Sequence, residues 1–405
     1  MSVISIFSGN YCNAEAVVRD VIDSTGYRLI GDEAIVDSAA EISGMPVNKV
    51  RRAFSARTSV FNPFTHEKEC SIACLRLALA TELSSAPAMV SGFCSLLIPP
   101  AITHALRVCI IAETAYRTGQ AAAQYEMSEK EALKEIHAQD TNCAAWVKTL
   151  YGLKDPWDPG LYDIILPMNR LSVEEAGALI EENLIKDAVQ RTDASMQAQA
   201  DFLLAATVEM ALSKAGHDVS VSAAQGRVML TINKQVLMRS RLEDELRSLV
   251  EPISGVVSVE TQVGKNFHEA YIYRKHSFEV PSRVLLVDDE REFVQTLSER
   301  LQLRDMGSAV AYDGESALEM VNEDEPEVMI IDLKMPGIDG MQILKQVKAT
   351  RPEIEVIVLT GHGSEKDRRE CLTLGAFAYM QKPVDIEELS DILKRAHEKI
   401  RQHKS

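Results

Sequence analysis

Along the last third of the chain, short apolar runs alternate with stretches whose apolar residues recur every three or four positions. RVLLV, SAVAY, VMIID, EVIVLT and AFAYM read as strands. Helical patterns lie between and after them: through Phe293, Leu297 and Leu301, around Ala317 to Val321, from Gly340 to Lys348, near Asp367 to Leu374, and from Ile386 onward. Five strands alternating with five helices predict a doubly wound, five-stranded parallel sheet over 282–405. Upstream, FLLAATVEMALSKAG reads as a helix ended by Gly216. DVSVSA and RVMLTIN alternate as strands across Gln225-Gly226, a second helix runs to about Val250, and GVVSVETQV closes as a strand. That order predicts a small α+β module over 201–275, set off by linkers at 185–200 and 276–281. The first 184 residues begin with a strand (VISIF), a loop and a helix from about Asn13 to Ser24, with further strands at PAMVSGF, LRVCIIA and YDIIL. The fold class is therefore α/β at both ends of the chain, with a small α+β insert.

A chain of 405 residues is too long for one core, which agrees with this division. The net charge of -17, without a Lys/Arg cluster, opposes non-specific DNA or RNA binding, and no nucleic-acid partner is expected. The opening residues have no basic segment ahead of an apolar one, so a cytoplasmic protein is expected. From about Ser84 to Leu106 the sequence carries little charge, but Pro87, Pro99 and Pro100 predict buried strands joined by a turn rather than a membrane span. Seven cysteines without a CxxC pair fit structural thiols in a reducing compartment. His66, Cys70 and Cys74 fall one helical turn apart on one face, a spacing read as helix core in preference to a metal site.

The C-terminal segment places chemistry at its strand ends. Asp288 and Asp289 follow the first strand, Asp332 the third, Thr360 the fourth, and Lys382-Pro383 the fifth. In an open parallel sheet these positions face one crevice. Three converging carboxylates call for a cation, and a hard ion such as Mg²⁺ suits oxygen ligands. Lys382 can reach Asp332 across the crevice, Thr360 offers a hydroxyl, and Gly361 leaves room for a phosphate.

The phrases VLLVDDE, IIDLKMPGIDG, VLTGHG and YMQKPVD resemble the response-regulator receiver family from end to end, a flavodoxin-like fold. The resemblance implies that Asp332 accepts a phosphoryl group from a sensor histidine kinase or a phosphotransfer protein. It implies that Asp289, Asp332 and the backbone carbonyl of Lys334 bind Mg²⁺, with Asp288 supporting through water. Thr360 and Tyr379 would be the switch pair, Lys382 would hold the phosphoryl group, and the Lys382–Pro383 bond would be cis. The middle module, with GRVMLTI and ISGVVSVE, resembles a BON domain, a small adaptor.

At the N-terminus, TGYRLIGDEAIVDSAAE and the block from MSEKEALKEIHAQDTNCAAWVKTLYG through DPWDPGLYDIILPMNRLSVEEA resemble the cytidylate-kinase-like family of P-loop α/β folds. The loop FSGNYCNAE departs from what a P-loop needs. It offers Gly9 but no Lys or Arg, with Asn10 and Asn13 along it and Glu15 where the family tends to be basic. Beyond Asp140, Cys143 stands where the family has an arginine, and SGFC lacks another. A pseudokinase is the expected reading; a nucleotide binder without transfer and a working nucleoside monophosphate kinase gated by its receiver stay open as alternatives. The whole chain reads as a response regulator with output through an unidentified downstream protein.

Overall fold

The computed structural model describes residues 2–84, 87–236, 238–264, 280–361 and 363–404. They form two compact units, Met1–Thr58 with Glu67–Tyr273, and Ser59–His66 with Arg274–Ser405. In the first, the chain runs β1 (Val3–Ser8), α1 (Ala14–Thr25), β2 (Arg28–Gly31), α2 (Asp32–Ser43) and α3 (Val47–Arg51). It passes through α4 (Asn62–Thr65), which belongs to the second unit, and returns as α5 (Glu67–Leu83), β3 (Ala88–Ser91) and β4 (Ala105–Ile111). Then follow α6 (Thr114–Tyr125), α7 (Glu129–Tyr151), β5 (Ile164–Pro167) and α8 (Val173–Leu184).

All five strands are parallel, in the order β2-β3-β1-β4-β5. The central strand β1 is buried on both faces, as its unbroken apolar run requires. Val17, Val21 and Ile180 of α1 and α8 cover one face; Ile35, Leu75, Leu79 and Trp146 of α2, α5 and α7 cover the other. The edge strand β2, RLIG, is not among the expected strands, because it has no alternation to announce it. The low-charge stretch after Ser84 does hold two strands, β3 and β4, joined through a 3-10 turn over Phe93–Leu97. No helix of the described residues is long and apolar enough to cross a membrane.

The stretch 185–200, read as a linker, is largely ordered structure. A 3-10 turn spans Asp187–Val189, and α9 (Asp193–Lys214) starts nine residues before the expected helix, which opens at Phe202. Thr192 caps it by accepting from the Ser195 N–H, while Ser195 Oγ accepts from the His104 N–H and Gln199 Nε2 donates to the Leu83 carbonyl at 2.7 Å. Those polar residues, which look like linker composition, bolt the helix down. After α9 come β6 (Ser220–Ala224), β7 (Arg227–Ile232), α10 (Arg239–Val250) and β8 (Ser258–Val263). The strands are ordered β6-β7-β8, and Gln225 and Gly226, both at positive φ, make the two-residue hairpin turn. Val208, Leu212, Val228, Leu230, Ile232, Leu242 and Leu246 form the module's core. The module's expected end near 275 and most of the linker at 276–281 lie outside the described residues.

His66 is not on a helical face with Cys70 and Cys74. It sits in left-handed backbone after α4, and α5 starts only at Glu67. Cys74 is core, with its thiol on the Met210 sulfur at 3.3 Å.

The second unit contains β9 (Val284–Val287), α11 (Arg291–Gln302), β10 (Ser308–Ala311), α12 (Gly314–Asp324) and β11 (Val328–Ile331). It continues with α13 (Gly340–Thr350), β12 (Glu355–Thr360), α14 (Glu365–Thr373), β13 (Ala378–Gln381) and α15 (Ile386–Lys404). Its sheet is parallel throughout, in the order β10-β9-β11-β12-β13. The three inner strands are fully buried and the two outer ones only in part. Side-chain caps from Asp313, Asp339 and Ser364 start α12, α13 and α14.

One core residue of this unit comes from far upstream. Phe61 is fully buried among Leu285, Val287, Ala317, Val321 and Met329. Phe64 lies against Gly307, where a Cβ would fall 2.6 Å from Phe64 Cβ and 2.3 Å from the Ser282 carbonyl oxygen. Phe61→Ala should therefore destabilise this unit by about 3–5 kcal/mol, the cost of a truncated buried phenylalanine. Native-state hydrogen exchange of β9 and β11 in the full chain reads that loss, and unchanged protection would contradict the packing described.

Candidate functional site

The strand order of the second unit reverses between β9 and β11, so their carboxyl ends open the crevice. Asp288 and Asp289 follow β9, Asp332 follows β11, and one carboxylate oxygen from each lies within 4.8 Å of the others. Asp288 and Asp332 are buried and Asp289 is exposed. Lys382, at the end of β13, places Nζ 2.7 Å from Asp288, 2.9 Å from Glu290 and 3.6 Å from Asp332 Oδ2. Its ammonium also stands 4.4 Å above the Phe293 ring. Burial pushes the Asp288 carboxyl up, against the pull of Lys382. Burial alone would lower Lys382, but hydrogen bonds to Asp288 and Glu290 and the surrounding negative charge hold it above its ordinary value.

Asp332 Oδ1 accepts from the Leu333 N–H at 2.7 Å, while Oδ2 is the oxygen nearer Lys382. A cavity of about 520 Å³ lined by Asp289, Asp332, Lys334, Thr360, Gly361 and Lys382 covers this group. Thr360 is buried, and the Lys382–Pro383 peptide is cis. Gly340 opens α13 because a Cβ there would fall 2.0 Å from the Asp332 carbonyl oxygen. The donor set of three carboxylates fits a hard divalent cation.

In the first unit, β1 runs into the loop at Gly9 to Asn13, and a charge from outside the loop enters it. Arg117 of α6, 5% exposed, donates from Nε to the Asn10 carbonyl at 2.8 Å and from Nη2 to Asn10 Oδ1. Its Nη1 and Nη2 meet both carboxylate oxygens of Asp140 on α7 at 2.8 Å. A Cβ at Gly9 would stand 3.3 Å from that guanidinium. The Tyr11 hydroxyl bonds the Glu135 carboxylate, a second tie from loop to α7. Asn13 N-caps α1 in left-handed backbone without a side-chain bond, and Glu15 is exposed in the first turn.

At the end of β3 the N–H groups of Phe93 and Cys94 each donate to Asp32 at 2.8 Å. Burial raises the Asp32 carboxyl despite those bonds. Cys143 is fully enclosed, and burial pushes its thiol up to about 12. Phe54, Phe93 and Trp146 pack beside it, with ring centroids 5.0–6.3 Å apart.

Residues 284–394 match the sequence profile of the response regulator receiver domain, and residues 3–170 that of the cytidylate kinase-like family. The chain joins a receiver domain to a cytidylate-kinase-like domain. Over 110 residues it is 34% identical to a protein named response regulator MprA from Mycolicibacterium vanbaalenii, covering 27% of this chain and 48% of that one. A protein of the same name from Mycobacterium ulcerans is 36% identical over 107 residues, 26% of this chain and 46% of that one. The chain thus spans about half the length of these relatives. A solved receiver domain protein from Clostridium thermocellum is 31% identical, with 29% of this chain and 96% of that chain covered and a TM-score of 0.29.

The receiver domain gathers Asp288, Asp289, Asp332, Lys334, Thr360 and Lys382 at one crevice. Tyr379 lies beside it, its buried hydroxyl without a hydrogen-bond partner among the described residues. The cytidylate-kinase-like domain brings Gly9 and Asn10 together with Arg117, which sequence reasoning missed; Asn13 and Glu15 do not join them. Glu290 and Phe293 were missed too, although both closely follow the acidic pair. Arg117 had no comparable signal, since TAYRTGQ matches no motif.

Gly363 is the space into which Tyr379 fits: a Cβ there would fall 1.5 Å from the Tyr379 hydroxyl and 2.9 Å from Thr360 Cγ2. Gly363→Ala should expel the phenol ring toward solvent. A drop in the ionisation midpoint of Tyr379 toward that of free tyrosine would show it, because burial is the main cause holding that phenol high; an unmoved midpoint would contradict the packing.

Proposed function

We propose that this chain is a cytoplasmic response regulator whose receiver takes a phosphoryl group on Asp332 from a partner histidine kinase or phosphotransfer protein. The observation that carries the reading is the buried Asp332 carboxylate, with Oδ2 toward Lys382 and the Asp288 and Asp289 carboxylates within 4.8 Å. Asp289, Asp332 and the Lys334 carbonyl would hold Mg²⁺, with Asp288 supporting through water. Bound there, the ion offsets negative charge as a carboxylate and a phosphoryl donor approach. Asp332 Oδ2 forms the bond to phosphorus as the donor's phosphorus–nitrogen bond breaks. Lys382, already drawn in by Asp288 and Glu290, is positioned to pair with the added charge, and Thr360 lends its hydroxyl.

The resulting charge acts on Tyr379 and on the surface made by α14, β13 and α15, from which the signal passes to another protein surface. The cytidylate-kinase-like domain takes part as a binding platform without phosphoryl transfer. Its loop is already filled by the Arg117 guanidinium, whose charge Asp140 consumes, and the Phe93 and Cys94 N–H groups are taken by Asp32. A phosphate would have to displace internal partners of matched charge. The BON-like middle module would serve as an adaptor.

Incubation with acetyl phosphate and Mg²⁺ should add one phosphoryl group, and Asp332→Asn should abolish it; undiminished labelling of the variant would remove Asp332 from the role. Purified protein should not phosphorylate CMP, UMP, dCMP or AMP from ATP above background. Turnover that disappears when Asn10 and Arg117 are replaced would overturn the platform reading.

A further inference from the structure

The middle module presents a strand edge to a groove. In the β6–β7 hairpin, Ala224 and Arg227 flank the two-residue turn, so the inter-strand bonds fall at Ala224, Ser222 and Ser220. The N–H and C=O groups of Val221 and Ala223 then point away from β7, toward the side where, among the described residues, no strand pairs with β6. A cavity of about 700 Å³ runs along that edge, lined by every residue from Asp218 to Ala224. Opposite the strand, Ile72 of α5, Leu97 and Phe202 of α9 give it an apolar wall.

Four carboxylates, those of Glu69, Asp201, Glu209 and Asp218, share the lining with one guanidinium, that of Arg76. Glu209 holds Arg76 at 2.5 Å, and Lys234 reaches Asp218 at 2.6 Å from outside the lining. Asp201 accepts from the Gln225 N–H and from Gln197 Nε2, both neutral donors, so the groove keeps a negative charge there. We propose that this groove binds an extended peptide segment of a partner protein, apolar in its middle and flanked by Lys or Arg, which adds to β6 as a further strand. Backbone groups left open on an edge strand are a template for pairing, and the main-chain bonds supply affinity while the groove walls select side chains. About five residues suffice, matching the roughly 16 Å of β6. The acidic lining sets the sign of the flanking charges.

The test uses the full chain and fluorescein-labelled Lys-Val-Thr-Val-Thr-Val-Lys amide as the probe, followed by anisotropy. Saturable binding is expected, weakening as salt rises. A counterpart with Glu at both ends should bind at least roughly tenfold more weakly, and so should the Lys peptide N-methylated at alternate residues. Hydrogen exchange at Val221 and Ala223 should slow when the probe binds. Ala223→Pro, which removes one edge N–H, should abolish binding; the N-methylated peptide keeps the test decisive if that variant fails to fold. Equal affinity for the methylated or the acidic peptide, absence of binding at millimolar probe, or self-association of the chain through β6 that the probe does not compete with would each overturn the proposal.

Discussion

Negative charges held close together at the end of a buried sheet are the constraint on which the receiver unit turns. Carboxylates within 4.8 Å of one another repel by about 3–4 kcal/mol per ionised pair at an effective dielectric near 20. Lys382 compensates part of this through Asp288 and Glu290. What is left is a concentration of oxygen ligands that suits a hard cation. The scaffold resists that repulsion through three fully buried inner strands and the close passage of Gly340 over Asp332.

The cytidylate-kinase-like domain meets a similar electrostatic problem in the opposite way. Donors at the end of its sheet are satisfied from within, by Asp32 at the Phe93 and Cys94 amides and by Asn10 and Asp140 around Arg117. A charge cluster that closes on itself contributes to folding and offers little to a ligand. One fold class thus carries open carboxylates in one crevice and internally paired groups in the other, and the difference lies in a handful of pairings rather than in architecture.

Core composition also crosses the boundaries suggested by sequence. Phe61 and Phe64 are completed by residues of the receiver unit, and α9 begins in a stretch whose polar residues anchor it through Ser195 and Gln199. Neither feature has a local signature: the short run Val60-Phe61-Asn62-Pro63-Phe64, or a Thr-Asp-Ala-Ser run, is equally compatible with a loop.

The sequence by itself determined what depends on short range. Apolar runs and helical spacing are properties of neighbouring residues, so the five receiver strands, their helices and the acids and lysine at their ends were legible, as was the shortage of cations in FSGNYCNAE. Tertiary structure alone decided which distant group fills a vacant role. Arg117 reaches Asn10 from 107 positions away, Asp32 reaches Phe93 from 61, and Phe61 enters a core made of residues beyond 284. Periodicity carries no information about such partners, because they are chosen by where folded elements meet and by the need to pair every buried charge and fill every buried space.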